Sequence, residues 1–385
     1  MTDNETPSDL PVYLQTDEVT NTFLTGIAGE KLLAVDTEAA SFHRYHDRTY
    51  LLQLSTRTRT AVIDPLTVTR LEMLGELLND PAIEIIFHDS DYDLRMLDRD
   101  YQFRVNRIFD TRLAAQLLNE PGVGLAALLE KYFGITLDKK YQRADWSRRP
   151  LIPEMLSYAA MDTKYLPQLR DILRDKLAVM GRLSWAEEEF ALLTDIRWSP
   201  GSDEGFWKLK GSKLLRGQAV AVLRELYQWR DQVAKHLDRA PFRVLNNETL
   251  FDLARLQPRD LMALSTVRGL SPETVHRRGP ELIEAINRGM AVPENQIPKP
   301  ERGTRTRPDP AMVERLDRLK IARNTAALRL DLAPGVLCPN GTLEAVARAQ
   351  PGTLADLEKI PELRRWQRAV IGEELLVAAS DPAKG

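Results

Sequence analysis

Apolar positions follow two rhythms along this chain. In roughly its first half, short apolar runs of strand length are interspersed with segments of helical spacing; from Trp207 onward only helical spacing remains. Lys31-Leu-Leu-Ala-Val-Asp-Thr-Glu38 reads as a buried strand, and Tyr50–Ser55, Thr60–Pro65 and Ala82–His88 read as three more. Thr16 is placed to cap a short helix running to about Thr25, before Gly26 and Gly29. Leu71–Asn79, Arg112–Leu118 and Gly124–Phe133 carry helical spacing. Strands in succession, then strands alternating with helices, predict a mixed α/β sheet.

The first strand ends in two carboxylates spaced i, i+2. Side chains alternate along a strand, so Asp36 and Glu38 are expected on one face. That pair alone fits a strand end dipping into water as well as it fits chemistry. Further carboxylates follow. Asp93, in His88-Asp-Ser-Asp-Tyr-Asp93-Leu, falls in the first turn of a helix, where acidic residues complement the helix dipole. Asp89 and Asp91 are read as structural on that ground, and Asp110 as the cap of the following helix. In Tyr158-Ala-Ala-Met-Asp162 the phenol and carboxylate are i, i+4 and share a helix face. Between these lies a loop, Asp138–Pro150, with Lys139, Lys140, Arg143, Arg148 and Arg149 interleaved with Tyr141 and Trp146. Such a loop suits a phosphate backbone and stacked bases, although a solvated basic loop is the plainer reading.

Composition narrows the field. The chain has 385 residues, 43% hydrophobic and 28% charged, enough for two or three domains. A formal charge of -3 means that nucleic-acid binding would have to come from local basic patches. The single cysteine, Cys338, excludes internal disulfides and cysteine-based zinc sites. The first ten residues lack a basic, then apolar, leader and no run of 18 apolar residues occurs, so a cytoplasmic protein without membrane spans is expected.

Asp36, Glu38, Asp93 and Asp162 would repel one another unless cations neutralised them. Oxygen-only ligands select Mg²⁺ or Mn²⁺. Two such ions roughly 4 Å apart clamp the attacking and leaving oxygens of a phosphodiester. At this point the chain resembles the DEDDy subgroup of the DEDD 3′–5′ exonucleases. Its three motifs occur in order as Asp36-Thr-Glu38, His88–Leu94 and Tyr158–Asp162. The resemblance implies an RNase H-like mixed-sheet domain and hydrolysis to nucleoside 5′-monophosphates. It also implies four carboxylate metal ligands and a Tyr158 that positions the attacking water. The aromatic residue that often follows the first-motif glutamate is replaced by Ala39-Ala40, leaving Phe42 as a possible substitute for stacking on the terminal base.

The C-terminal half carries an internal repeat. Over 220–282, 22 of 63 residues are identical to those 93 positions further on, without a gap. Ala240-Pro241 matches Ala333-Pro334, and Ala254–Pro258 matches Ala347–Pro351. Val292–Pro310, with five prolines, reads as a stiff linker between the copies. Each copy resembles an HRDC domain, a small helical bundle that binds nucleic acid weakly or packs on partner domains. Residues 206–243 hold nine basic against three acidic residues, including Lys208 and Lys210, so the first copy is expected to contact RNA more than the second.

The expected plan is a mobile tail over 1–10, an exonuclease domain over 11–203, a helical domain over 204–292, a linker over 293–310 and a second helical domain over 311–381. This order resembles the ribonuclease D family. The resemblance implies action on RNA 3′ ends, in tRNA precursors and other small structured RNAs; a monomer is expected because three covalently linked domains can encircle a strand without a partner. His88, Lys139, Lys140, Arg143, Trp146, Arg148, Arg149, Lys208, Lys210 and Phe42 are the expected substrate contacts. A DNA exonuclease, or a silent RNA-binding protein on the same fold, are the alternatives.

Overall fold

The structure is a computed structural model and describes residues 10–200, 205–299 and 309–380. The tail expected over 1–10 therefore lies almost wholly outside the described residues, as does the second half of the 293–310 linker. The described part of that linker includes one 3-10 turn, Glu294–Gln296. Two compact units emerge. One is formed by the described residues of Met1–Glu38, Thr49–Trp198 and Thr306–Gly385, the other by those of Ala39–Arg48 and Ser199–Arg305.

The first unit is built on a six-stranded mixed sheet. Its elements run β1 (Val12–Leu14), α1 (Asp17–Ile27), β2 (Leu32–Ala39), β3 (Thr49–Ser55), β4 (Thr60–Ile63), α2 (Glu72–Asn79), β5 (Glu84–Phe87), α3 (Asp91–Tyr101) and β6 (Ile108–Asp110). The strand order is β1-β4-β3-β2-β5-β6, with β1 parallel to β4, β3 antiparallel to β4, and β5 parallel to both β2 and β6. The four predicted strands are all present. The edge strands β1 and β6 escape a pattern reading because three residues are too few to show an alternation. Thr16 caps α1 as expected, its hydroxyl accepting from Val19 N.

Helices α4 (Thr111–Leu117), α5 (Leu125–Phe133), α6 (Pro153–Lys164), α7 (Leu166–Val179) and α8 (Leu183–Leu193) complete the domain. Two cores flank the sheet. Leu33 and Val35 of β2 pack with Leu24, Leu74 and Leu97 on one side; Ala34 packs with Phe109, Leu129 and Leu173 on the other. Strand alternation then carries Asp36 and Glu38 onto the Ala34 face and Thr37 onto the opposite face. Helix α6 lies against β3, where the buried Ser55 and Thr163 hydroxyls hydrogen-bond at 2.8 Å and the small Ala159 and Ala160 are buried.

The first repeat, in the second unit, folds as α9 (Gln218–His236), α10 (Pro241–Val244), α11 (Asn247–Leu256), α12 (Leu261–Ser265) and α13 (Pro272–Met290). The second repeat, in the first unit, folds as α14 (Pro310–Arg329), α15 (Pro334–Leu337), α16 (Asn340–Ala349), α17 (Leu354–Leu357) and α18 (Arg365–Ala379). The same arginine staples both. Arg230 donates to Leu245 O and Asn247 Oδ1, and Arg323, 93 residues on, donates to Cys338 O and Asn340 Oδ1, all at 2.8 to 2.9 Å. Both arginines are buried, so Arg230, one of the nine basic residues of 206–243, belongs to the core.

The two copies differ in what surrounds them. The second shares one hydrophobic core with the exonuclease domain. Trp366 stacks on Trp185 with centroids 4.9 Å apart and planes at 15°, and its indole N–H donates to Glu189 at 2.8 Å. The Glu188 carboxylate accepts from the first amides of α18, Arg365 N and Trp366 N, so one domain supplies the N-terminal cap of the other's helix. The residue matching Trp366 in the first copy is Glu273, whose side chain is 69% exposed. Trp366→Ala is therefore expected to destabilise the first unit by about 3 kcal/mol, and Glu273→Ala to change stability by no more than about 0.5 kcal/mol. Urea unfolding of both variants checks this; equal effects would mean that the indole is not what holds the second repeat in place.

Candidate active site

β2, α3 and α6 bring the acidic residues to one place. Asp36, Glu38 and Asp162 each present a carboxylate oxygen within 4.8 Å of the other two, the one such acidic, histidine or cysteine cluster among the described residues. The first two come from alternate positions of one strand and the third from a helix crossing the sheet. Asp93, in the first turn of α3, stands beside this group and not within it. Its Oδ1 accepts from Thr37 N at 3.0 Å and from the Thr37 hydroxyl at 2.6 Å. Thr37 is a residue that motif reading passes over. Its position between two carboxylates, on the opposite strand face, is the signal that could have found it.

All four carboxyls are held above the ordinary range, burial being the first cause in each. For Asp36 the second cause is the Asp162 charge; for Glu38 it is Asp36, then Asp162 and Asp93. Asp93 is raised further by Asp36 while its Thr37 hydrogen bonds pull it back, and Asp162 is pushed up to about 7, with the Asp93 charge adding to burial. Asp36, Glu38 and Asp162 keep part of their surface open to solvent although protein crowds them closely. Among the described residues no lysine or arginine pairs with any of the four. Clustered, desolvated and unneutralised oxygen donors fit a hard divalent cation and little else.

Tyr158 stands one turn before Asp162 on α6. Burial, then the Asp162, Glu38 and Asp36 charges, push its phenol well above the usual value. Tyr141 meets the ring edge-on at 5.8 Å and Trp146 lies nearly parallel to it at 6.1 Å and 28°.

The remaining expected substrate contacts fall into two groups. Lys139, Lys140, Arg143 and Arg148 are on the surface of the loop, Lys140 over the Tyr141 ring and Arg148 paired with Asp145. Lys208 and Lys210 are exposed on the second unit, and Phe42 there meets Phe242 edge-on at 6.1 Å. Two expectations need correcting. Trp146 is only 1% exposed and stacked on Tyr158, so its ring is not available to a base. Arg149 is committed to the buried Asp64 in a two-pronged ion pair at 2.5 and 2.7 Å. His88 turns its Nδ1 to the Thr111 hydroxyl at 2.9 Å, and burial holds its pKa below the usual histidine value. Asp91, by contrast, pairs with Arg95 in the first turn of α3, and Asp110 caps α4 through Arg112 N and Leu113 N, both as expected.

This arrangement is that of a 3′–5′ exonuclease with helical accessory domains. The 3′–5′ exonuclease family model matches residues 11–178, and the HRDC domain model matches 219–286 and again 313–378. A ribonuclease D from Pseudomonas paraeruginosa is 31% identical over 90% of this chain and 91% of its own length; one from Gluconacetobacter diazotrophicus is 28% identical over 95% and 92%. The crystal structure of Escherichia coli RNase D covers 96% of this chain and 98% of that one with a TM-score of 0.73 and 24% identity, a likeness of fold. The chain belongs to the ribonuclease D family and is a 3′–5′ exoribonuclease. Dependence on divalent metal follows from the family and the acidic cluster together.

A pH dependence follows from the raised carboxyls. Between the unfolded value near 4 and the folded value of about 7 for Asp162, the folded protein binds more protons than the unfolded chain. Without cation, this contribution to stability is full below about pH 4 and is lost as pH rises towards 7. Mn²⁺ should therefore raise the melting temperature strongly at pH 8 and little at pH 5, and Asp162→Asn should flatten that difference. Thermal melts with and without Mn²⁺ across this range measure it; a metal shift independent of pH would contradict the assignment.

Proposed function

We propose that the chain trims the 3′ ends of tRNA precursors and other small structured RNAs, releasing nucleoside 5′-monophosphates at a site holding two Mg²⁺ or Mn²⁺ ions. The observation that carries this reading is the group of Asp36, Glu38 and Asp162 beside Tyr158. Asp36, Glu38 and Asp162 would hold the ions, with Asp93 contributing the oxygen that Thr37 leaves free. When bound, such ions neutralise the carboxylates and stabilise charge on the attacking and leaving oxygens.

The protein's own groups do the rest. Burial and the neighbouring carboxylates keep the Tyr158 phenol protonated at neutral pH, so it orients the attacking water through a hydrogen bond. Thr37, with both its amide and its hydroxyl on Asp93, fixes one carboxylate oxygen and thereby aims the other. Lys139, Lys140 and Arg148 on the loop supply exposed positive charge to guide the phosphate backbone. Lys208 and Lys210 provide a further basic patch on the first repeat. Phe42 would stand in for the aromatic residue that Ala39-Ala40 replaces, stacking on the terminal base. The reading also includes a monomer working in the cytoplasm. A single, buried, unpaired Cys338 agrees with a reducing compartment, and no helix among the described residues is long and apolar enough to cross a membrane.

The test compares a 3′-extended tRNA with single-stranded DNA of the same tail, in Mg²⁺ and in Mn²⁺. Release of nucleoside 5′-monophosphates from the RNA is expected to fall to background in Asp36→Ala and roughly 10²-fold in Tyr158→Phe. Thr37→Val should lower it less, by roughly 10-fold to 10²-fold. Equal activity of wild type and both site variants would refute the assigned site. Faster attack on DNA would refute the substrate.

A further inference from the structure

The Asp138–Pro150 loop contains neither helix nor strand, yet its last residues are tied firmly to the sheet. The tie is one guanidinium. Arg149 binds both oxygens of Asp64, a carboxylate with no exposed surface at the end of β4. Asp64 also accepts from the Tyr13 hydroxyl on β1 at 2.6 Å and from Leu66 N at 3.1 Å. Arg149 then donates to Tyr50 O of β3 at 2.9 Å, to Arg148 O at 2.8 Å and to Trp146 O at 2.7 Å. Three strands are thus joined to the backbone of Trp146. A bidentate arginine–carboxylate pair with its remaining donors satisfied is the kind of buried ion pair that fixes geometry.

What that geometry serves is visible one ring away. The Trp146 indole is 1% exposed and lies nearly parallel to Tyr158, while Tyr141 of the same loop closes on Tyr158 edge-on. Among the described residues no side chain takes the Tyr158 hydroxyl in a hydrogen bond, so nothing at its tip fixes the phenol. Its orientation is set from the side, by packing. A phenol that pivots on its Cβ moves its oxygen by far more than its ring edge, and misplacement of about 1 Å can cost an enzyme roughly 10² in rate.

We propose that Trp146, locked in place by the Arg149–Asp64 ion pair, is a positioning residue that sets where the Tyr158 hydroxyl points. The proposal rests on the reading of Tyr158 as the group that orients the attacking water. The loop thereby acts as a splint on the catalytic helix, in addition to whatever its surface lysines do for RNA.

The experiment is a double-mutant cycle on full-length enzyme, with kcat, KM for a 3′-tailed RNA and the Mn²⁺ concentration at half activity measured for each variant. Trp146→Leu and Asp64→Asn are expected to lower kcat about 10-fold with KM and the Mn²⁺ midpoint changed less than 2-fold. Trp146→Phe, which keeps an aromatic plane against Tyr158, should restore most of kcat. In the Tyr158→Phe background each change should cost less than 2-fold more, because the group being positioned is already gone. Should Trp146→Leu not fold, Arg149→Lys, which keeps the charge but loses the fork, carries the same comparison. Losses that multiply in the Tyr158→Phe background, losses confined to KM or the Mn²⁺ midpoint, or folded variants with wild-type kcat overturn the proposal. A Tyr158→Phe enzyme with wild-type kcat would instead sink the reading of Tyr158 itself, so the two failures are told apart.

Discussion

The constraint on which this structure turns is mutual repulsion between carboxylates held out of water. Asp36, Glu38 and Asp162 are forced within 4.8 Å of one another with no lysine or arginine paired to them among the described residues. Left to itself, a chain would relieve this by rotating side chains into solvent or by fraying the strand end. Neither happens, because each carboxylate is mounted on an element that is anchored elsewhere. β2 is an inner strand with a core on either face, and α6 is pressed onto β3 through two buried hydroxyls and a pair of alanines. Stability accumulated in those cores offsets the cost of a site that is unfavourable until a cation enters.

The duplicated helical domain shows how one fold is turned to different ends by a few exposed positions. The interior staple, Arg230 in one copy and Arg323 in the other, keeps the same partners at the same spacing. Some interior positions differ, Leu245 against Cys338 and Leu253 against Val346 among them, but the change that alters each copy's surroundings falls on one helix face. Where the first copy has Glu273 in solvent, the second has Trp366 buried against Trp185, and Glu188 and Glu189 of the exonuclease domain complete the seam. The second copy has thereby become part of the same hydrophobic core as the catalytic sheet. The first copy, with exposed Lys208 and Lys210, instead holds the segment that follows β2: Tyr45 donates to Asp231 at 2.9 Å, and Ala240 N to His43 O at 3.2 Å.

Much of this was legible in the residues themselves. The four interior strands, the capped helices, the repeat and all the acidic residues announce themselves through period, spacing and charge. Where the reading failed, it failed for one reason: a sequence shows what a side chain is able to do, not which of several partners will claim it. Trp146 and Arg149 look like a base-stacking ring and a phosphate-binding cation, and in an exposed loop they would be. Asp64, hidden at the end of an apolar run before a proline, claims the arginine first, and Tyr158 claims the indole. Nothing in the loop's own composition reveals an acceptor 85 residues earlier. The weaker basic character of the second repeat pointed to a structural role, but the seam itself was invisible for the same reason, since Trp366 reads as an ordinary helix residue until Trp185 is found beside it.

The alternation of β2 has a consequence for what this site can tolerate. Asp36 and Glu38 face one way and Thr37 the other, and both directions are used, one for the acidic cluster and one to hold Asp93. Slipping the strand by a single residue would exchange them all at once, placing a hydroxyl among the carboxylates and two carboxylates in an apolar layer. The chemistry is thus encoded in register as much as in residue identity. A loop beside it could gain or lose a residue without exchanging these faces, but the count of residues along β2 cannot drift by one without erasing the site.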